Sequence, residues 1–452
     1  MRFPLALTLL LLCSPAIAQD AVEADPSDAE AEAEVASSDD PGAAETAPTR
    51  VPLEEIRRYV AVFNAVKDAY VEPVEDRELM QSAIRGLLLD LDPHSTYFDR
   101  EDAAAFDEQA TGAYDGVGVE LLQQSDNTLR VIAPIDGTPA AKAGIKSGDV
   151  IIAIDGKPIS SRDGMEPLRG ASGTKLVLTL VREGTARPFD VSLTRETIRV
   201  ASVRSRMLEP GYGYVRISTF QADTGADFQR QLDKLQSAGK LRGLVLDLRS
   251  NPGGLLISAV QVADELLEKG NIVSTRGRIA ISDSKFDATP GDRLGGAPLI
   301  VLVDAGSASA AEVLAGALRD NNRARVIGSR TFGKGSVQTV LPLDNGDSVK
   351  LTTARYYTPS GKSIQASGIV PDVVLRPEST PGDAATPGFD YSEAALPGHL
   401  QGDEEGSEGY TAGDVLEGDK PIAAALAELK KTSGGKAPAS AAVVTPAKPG
   451  SR

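Results

Sequence analysis

Gly243-Leu244-Val245-Leu246-Asp247-Leu248-Arg249-Ser250-Asn251-Pro252-Gly253-Gly254 is the stretch that decides the architecture. An unbroken apolar run of strand length ending in Asn-Pro-Gly-Gly reads as a buried strand that feeds a loop. The flanking segments fit that reading. A helical pattern covers 256–267, a strand 271–275, a buried strand 298–303, a helix 308–318 and a strand 324–328. Strands alternating with helices are βαβ grammar, so the expectation is an α/β core with a largely parallel sheet. In such sheets ligands bind beyond the carboxyl ends of the strands, where the paired glycines let backbone N–H groups face a ligand unobstructed. Read alone, Gly253-Gly254 is as well explained by a tight turn.

Upstream, the pattern changes twice. Residues 111–195 are short strands punctuated by glycine, with Asp-Gly turns at Asp136-Gly137 and Asp155-Gly156, which predicts a mainly-β domain. Residues 51–110 place Leu53, Ile56, Tyr59, Val60, Phe63, Val66 and Tyr70 at helical spacing, then Leu79, Met80, Ile84, Leu87, Leu88 and Leu91, which predicts a small helical region. His94, just past its end, reads as structural. Residues 19–50 hold ten acids and one arginine with few large apolar side chains, the pattern of a disordered acidic linker. Arg2, the apolar run to Cys13 and the small-x-small site Ala16-Ile17-Ala18 read as a cleavable export signal over 1–18, giving a periplasmic or secreted protein starting at Gln19. Residues 379–452 read as a low-complexity tail with a single helix near 421–431. The remainder, 196–378, holds the α/β core.

Composition narrows the chemistry. The chain of 452 residues carries a net charge of −17, no Trp and 4% aromatics, a balance that argues against nucleic-acid partners. Its one cysteine is Cys13 and its histidines are His94 and His399, too few for a structural zinc site. No metal or organic cofactor is expected. A hydrolase built here has to work without cysteine and without a histidine in its core.

Two further segments carry candidate chemistry. Strand 299–303 runs into Asp304-Ala305-Gly306-Ser307-Ala308-Ser309-Ala310-Ala311-Glu312, a strand–turn–helix junction of small residues. A serine there sits at the positive end of a helix beside free N–H groups, which suits a nucleophile whose intermediate is an oxyanion. By pattern alone Ser309-x-x-Glu312 is a capping box before it is a nucleophile. Downstream, Gly328-Ser329-Arg330-Thr331-Phe332-Gly333-Lys334-Gly335 nearly spells a phosphate loop, but Gly335 replaces the magnesium-binding hydroxyl and a strand follows, so a nucleotide site is excluded. A serine without histidine can use lysine as its base. A free lysine is neutral only about four times in ten thousand at pH 7, so the amine would have to be buried in an apolar site.

Together these segments resemble the C-terminal processing (tail-specific) peptidases, the PDZ-containing Ser–Lys family S41. The resemblance spans roughly residues 51–378 and rests on Leu91-Asp92-Pro93-His94-Ser95, Asp247 to Gly254, Gly306 to Glu312, and Phe332 to Gly335 with Gln338. It implies a ClpP/crotonase-like α/β protease core with an inserted PDZ domain and an N-terminal helical region. It also implies Ser309 as nucleophile, Lys334 as general base and Gln338 as the group orienting it. The backbone N–H of Ala310 and of Gly253 or Gly254 would form the oxyanion hole. Ser307 is the rival nucleophile. Asp320 aligns with an acid sometimes placed in the charge relay, though a structural cap is the plainer role. Tyr114-Asp115-Gly116-Val117-Gly118-Val119 resembles the PDZ carboxylate-binding loop, and the run from Pro139 to Asp155-Gly156 the PDZ signature. A peptide C-terminus would then bind by adding a strand. Arg169 matches a position that can couple PDZ domain to active site. The implied partners are protein or peptide substrates, especially their C-termini, and a second copy through flanking helices. The alternative is a PDZ scaffold that binds peptides on a protease-like core without cutting them.

Overall fold

The computed structural model describes residues 51–124, 128–135, 137–159, 166–279, 282–377, 392–405 and 413–433. The expected export signal, Cys13 and the acidic linker lie outside the described residues, as does Asp136. Residues up to Leu79 form one compact unit and those from Met80 another. The first contains α1 (Leu53–Ala69), and α2 (Asp76–Leu89) begins within it.

The second unit starts with β1 (Thr96–Phe98) and α3 (Arg100–Thr111), whose N-cap Asp99 accepts from the N–H groups of Glu101 and Asp102. A strand pair, β2 (Ala113–Gly116) with β9 (Glu196–Arg199), brackets the β-rich domain. That domain is a sheet of β3 (Val119–Gln123), β4 (Leu129–Pro134), β5 (Val150–Ile154), β7 (Lys175–Val181) and β8 (Phe189–Thr194) in that order, with β6 (Lys157–Pro158) on β5. The short α4 (Pro139–Lys142) closes one end. Alternate residues of β7, Leu176, Leu178 and Leu180, are buried and form its core with Leu129, Val131 and Ile151. Among the described residues β3 pairs only with β4, which leaves its outer edge open.

The α/β core carries the sheet β10–β11–β12–β15–β16–β19: β10 (Val203–Glu209), β11 (Tyr212–Ile217), β12 (Gly243–Asp247), β15 (Leu299–Val303), β16 (Arg325–Gly328) and β19 (Val373–Val374). All pairs are parallel except β10 with β11. Side chains alternate along each strand. Leu244 and Leu246 of β12 and Leu299, Val301 and Val303 of β15 face α5 (Thr224–Gln236), α6 (Leu256–Asp264) and α7 (Ala310–Asp320). Val245, Ile300 and Leu302 face the other way, onto Ile422, Ala425 and Leu429 of α8 (Lys420–Ser433). A sheet covered on both faces explains why its strands read as continuous apolar runs.

Two expectations need correcting. The strand at 271–275 does not join the parallel sheet. It is part of β13 (Asn271–Gly277) in a second, antiparallel sheet with β14 (Ser284–Asp287), β17 (Ser336–Pro342), β18 (Ser348–Tyr357) and β1. A buried strand is apolar in either setting, and its partners are set by connections the local sequence does not encode. The tail reading of 379–452 also fails for the described part of it. Glu393 is fully buried, Leu416 nearly so, and Ile422, Ala425 and Leu429 of α8 pack on one face of the sheet. Residues 414–416 are tied to the ends of β12 and β15: Ala305 N–H donates to the Asp414 carbonyl and Leu416 N–H to Asp304 Oδ2.

Candidate active site

β12 and β15 end side by side, which brings Asp247–Gly254 against Asp304–Ser309. Asp247 is buried and accepts from Arg249 Nη2 at 2.6 Å and the Tyr214 hydroxyl at 2.8 Å. Arg249 Nη1 then reaches the Leu416 carbonyl at 2.9 Å, tying the strand end to the C-terminal segment. Asp304 Oδ1 accepts from the N–H groups of Ser250 (2.7 Å) and Gly306 (3.0 Å), and Ala308 N–H donates to the Asn251 carbonyl. The two loops are thus one hydrogen-bonded body.

Ser309 sits at the head of α7 with φ 53° and ψ −117°, in the left-handed half of φ space that a residue with a Cβ rarely adopts. Gly253 explains why the chain bends so tightly: a Cβ there would lie 2.8 Å from Ser309 Cβ and 3.1 Å from Ala310 N. Gly253 N–H donates to Asn251 Oδ1 at 2.8 Å. Among the described residues, no acceptor takes the N–H of Gly254 or of Ala310. Ser307, the rival, is fully buried; its hydroxyl donates to the Leu248 carbonyl at 2.8 Å and accepts the Asp304 N–H at 2.9 Å. The Ser309 hydroxyl instead faces the phenol of buried Tyr356, whose ionisation burial pushes up to about 12.

The capping-box residue does more than cap. Glu312 is completely buried, and its carboxylate accepts from Ser309 N–H (2.7 Å), Thr331 Oγ1 (2.5 Å), Gly333 N–H (2.7 Å) and Lys334 N–H (2.9 Å). Burial pushes its carboxyl up to about 8 against the pull of those donors. One side chain therefore joins the serine turn to the lysine loop. Phe332 N–H adds a bond to the Ser307 carbonyl.

Lys334 is half-buried, and its Nζ donates to Gln338 Oε1 at 2.7 Å. Burial lowers its pKa from the ordinary lysine value, with Lys350 acting in the same direction and Glu393, Glu312 and Asp92 opposing. Among the described residues, no hydrogen bond joins Lys334 Nζ to Ser309 Oγ.

Asp320 takes the plainer of its two expected roles. It closes the far end of α7, about 15 Å along the axis from Ala310 at 1.5 Å per residue. Its carboxylate accepts from Arg319 Nε at 3.0 Å and Ser360 N–H at 3.3 Å. Burial alone would raise its pKa, but hydrogen bonds from Thr358 and Ser360 and the Arg319 charge hold it below the usual range. It is a helix-end anchor remote from Ser309.

In the β-rich domain, buried Val117 and Gly118 (φ 74°) join β2 to β3, with Gly116 at the end of the one and Val119 at the start of the other. The Thr138 hydroxyl donates to the Gly118 carbonyl at 3.0 Å and Ala140 N–H to that of Val117. Arg169 lies over the Tyr114 ring, 5.5 Å from its centroid, and is ion-paired with Glu108 of α3. Sequence reasoning missed Glu108, Tyr356, Thr352, Gln365 and Glu393. None belongs to a local motif.

Comparison with known proteins agrees with this geometry. Peptidase family S41 matches residues 211–375, the PDZ domain family 116–193, and the family described as the activating protease CtpB N-terminal domain 17–102. A carboxy-terminal-processing protease of Bartonella bacilliformis is 44% identical over 365 residues, 79% of this chain and 83% of that one. The carboxy-terminal processing protease CtpA of Bacillus subtilis is 37% identical over 69% of this chain and 67% of its own. The chloroplastic C-terminal processing peptidase of Tetradesmus obliquus is 38% identical over 69% and 71%. Identity sustained over such lengths places the chain in the carboxy-terminal processing proteases of peptidase family S41, serine proteases with a PDZ domain.

Proposed function

We propose that this serine protease is an exported endopeptidase that captures unfolded or C-terminal peptide segments on its PDZ domain and cuts them by a Ser–Lys acyl-enzyme mechanism. Ser309 Oγ attacks the scissile carbonyl and Lys334 takes its proton, later returning it to the leaving amine. Gln338 orients the amine. The oxyanion rests on the N–H groups of Ala310 and Gly254, since the Gly253 N–H is already given to Asn251. The observation that carries the reading is the shared Glu312 carboxylate, which fixes a serine in a strained turn and a buried lysine loop to one anchor. The fully engaged Ser307 hydroxyl supports Ser309 over its rival. Catalysis needs Lys334 Nζ and Ser309 Oγ within about 3 Å, a contact that tightens when substrate binds.

For capture, the open edge of β3 supports strand addition, with residues 116–119 receiving the terminal carboxylate. The signal-like residues 1–18 support export to the periplasm or beyond, tested by N-terminal sequencing of the mature protein from Gln19. A non-cutting PDZ scaffold is the competing reading. Casein digestion separates the two: wild type should cleave, while Ser309→Ala and Lys334→Ala should lose cleavage at least about a thousandfold with thermal unfolding little changed. Retained cleavage in either variant defeats the mechanism, and an inert wild type favours the scaffold.

A further inference from the structure

Gln338 can orient the Lys334 amine only if its own amide faces the right way, since its two ends differ by one oxygen and one nitrogen. The oxygen accepts from Lys334 Nζ at 2.7 Å, and Nε2 donates to Thr352 Oγ1 at 3.2 Å and Ser336 Oγ at 3.0 Å. What selects this orientation over its reverse lies one residue further out. The Thr352 hydroxyl has one proton, which it gives to Asp92 Oδ1 at 3.0 Å. Only its lone pairs then remain for Gln338, and a lone pair faces an N–H₂ and not a carbonyl.

Asp92 is held as a pure acceptor. It is buried, and its carboxylate also accepts from His94 N–H (2.8 Å), Ser95 N–H (2.9 Å) and Ser95 Oγ (2.7 Å). Burial alone would raise its pKa, but the hydrogen bonds from Ser95, His94 and Thr352 outweigh that and keep it below the ordinary carboxyl value. The register is set by an irregularity in the β17–β18 ladder. Val337 faces Ala354 but Gln338 faces Thr352, so the strand skips Thr353 and puts the amide opposite the hydroxyl. The same short segment reaches the lysine loop a second way. His94 Nε2 lies 2.9 Å from Glu393 Oε2, Glu393 Oε1 accepts Gln365 Nε2 at 2.9 Å, and Gln365 Oε1 accepts Gly335 N–H at 3.0 Å.

We propose that Asp92 and Thr352 are positioning residues for proteolysis: the carboxylate makes the Thr352 hydroxyl a donor, that hydroxyl fixes the Gln338 amide, and the Lys334 lone pair is left facing Ser309. The inference rests on Lys334 being the base. In the reversed amide, Nε2–H would donate to the amine and occupy the lone pair that must take the serine proton. No bond to substrate is made by either residue.

Thr352→Val, which keeps the shape and deletes the hydroxyl, tests this with full-length protein and fluorescently labelled casein. The expected result is a kcat lower by about 10–100-fold with KM within about twofold, and rescue by Thr352→Ser. The pH profile carries the discrimination. A flipped amide disfavours the ammonium, so the acid limb of kcat should move to lower pH while the plateau falls. Mere loosening would admit water, relieve the burial of Lys334 and move that limb to higher pH. The titratable groups facing the amine, Lys350 on β18 with Glu312, Glu393 and Asp92, all remain in place, and Asp92 loses one donor but keeps the three from His94 and Ser95. In a Gln338→Ala background, Thr352→Val should change residual kcat less than about twofold.

A wild-type plateau, a limb displaced upward, failure of serine to rescue, or an undiminished effect without Gln338 overturns the proposal. If the valine variant does not fold, Asp92→Asn gives the same reading: loss of charge alone lowers the limb, and the proposal additionally requires a lower plateau. Residual cleavage by Ser309→Ala or Lys334→Ala would defeat the Ser–Lys reading, whereas inert controls beside an unaffected Thr352→Val defeat only this inference.

Discussion

A buried amine is the thermodynamic debt of this active site, and it has a measurable sign. Lys334 is lowered below the ordinary value of 10.5, chiefly by burial. Between the two values the unfolded chain binds a proton that the folded chain releases, so stability rises with pH across that window and is least below it. Lys334→Met abolishes this dependence. Wild type should therefore gain stability relative to Lys334→Met as pH is raised toward 10.5, read from urea unfolding at a series of pH values; a constant difference would mean the amine is not held below its free value. At this scale the sequence was most informative about identity and least about orientation. Ser309, Lys334 and Gln338 stand in recognisable strings, but nothing local distinguishes the spent hydroxyl of Ser307 from that of Ser309. Nor does it show that Glu312, a plain capping acid by pattern, also receives the N–H groups of Gly333 and Lys334.

Elements hold these residues through close backbone approach. A Cβ on Gly335 would strike the backbone nitrogen of Gln365, so no side chain fits where the lysine loop crosses that segment. Gly335→Ala should cost about 1–3 kcal/mol in stability and lower cleavage at least tenfold, since the loop must shift to relieve the clash. Normal activity would show that the loop position is not critical. The β-rich domain has a comparable joint at Arg169, which stacks on Tyr114 beside the carboxylate-loop segment and pairs with Glu108 of α3. An exposed pair of this kind contributes at most about 1 kcal/mol, so Arg169→Ala should scarcely alter unfolding. It should reduce stimulation of casein cleavage by an added C-terminal peptide several-fold; unchanged basal and stimulated rates would remove Arg169 from any coupling. The glycines and turn signals of this domain were legible in sequence because a turn is a local object. The Arg169–Glu108 pair was not, because its members are 61 residues apart.

For the whole molecule, the parallel sheet is stable only when both faces are covered, and one cover comes from the C-terminal segment. Leu429 is fully buried against that face, close over Gly243. Leu429→Ala should destabilise the protein by about 2–5 kcal/mol without changing KM. Truncation before residue 413 should leave an insoluble product, because it strips Ile422, Ala425 and Leu429 from the sheet and the Leu416 carbonyl from Arg249. A soluble, fully active truncate would show that this helix is dispensable.

Short-range pattern determined much of this protein: the order of strands and helices, the glycine-marked PDZ segment, and the strings holding Ser309, Lys334 and Gln338. Strand period and turn chemistry are properties of neighbours along the chain. Tertiary structure alone decided that β13 leaves the parallel sheet, that Asp320 anchors the far end of its helix, that residues 392–405 and 413–433 contribute to the core, and which way the Gln338 amide faces. The last depends on Asp92 meeting Thr352 across 260 positions. A hydrogen bond's direction is fixed by what lies beyond each partner in space, and one-dimensional order does not record that.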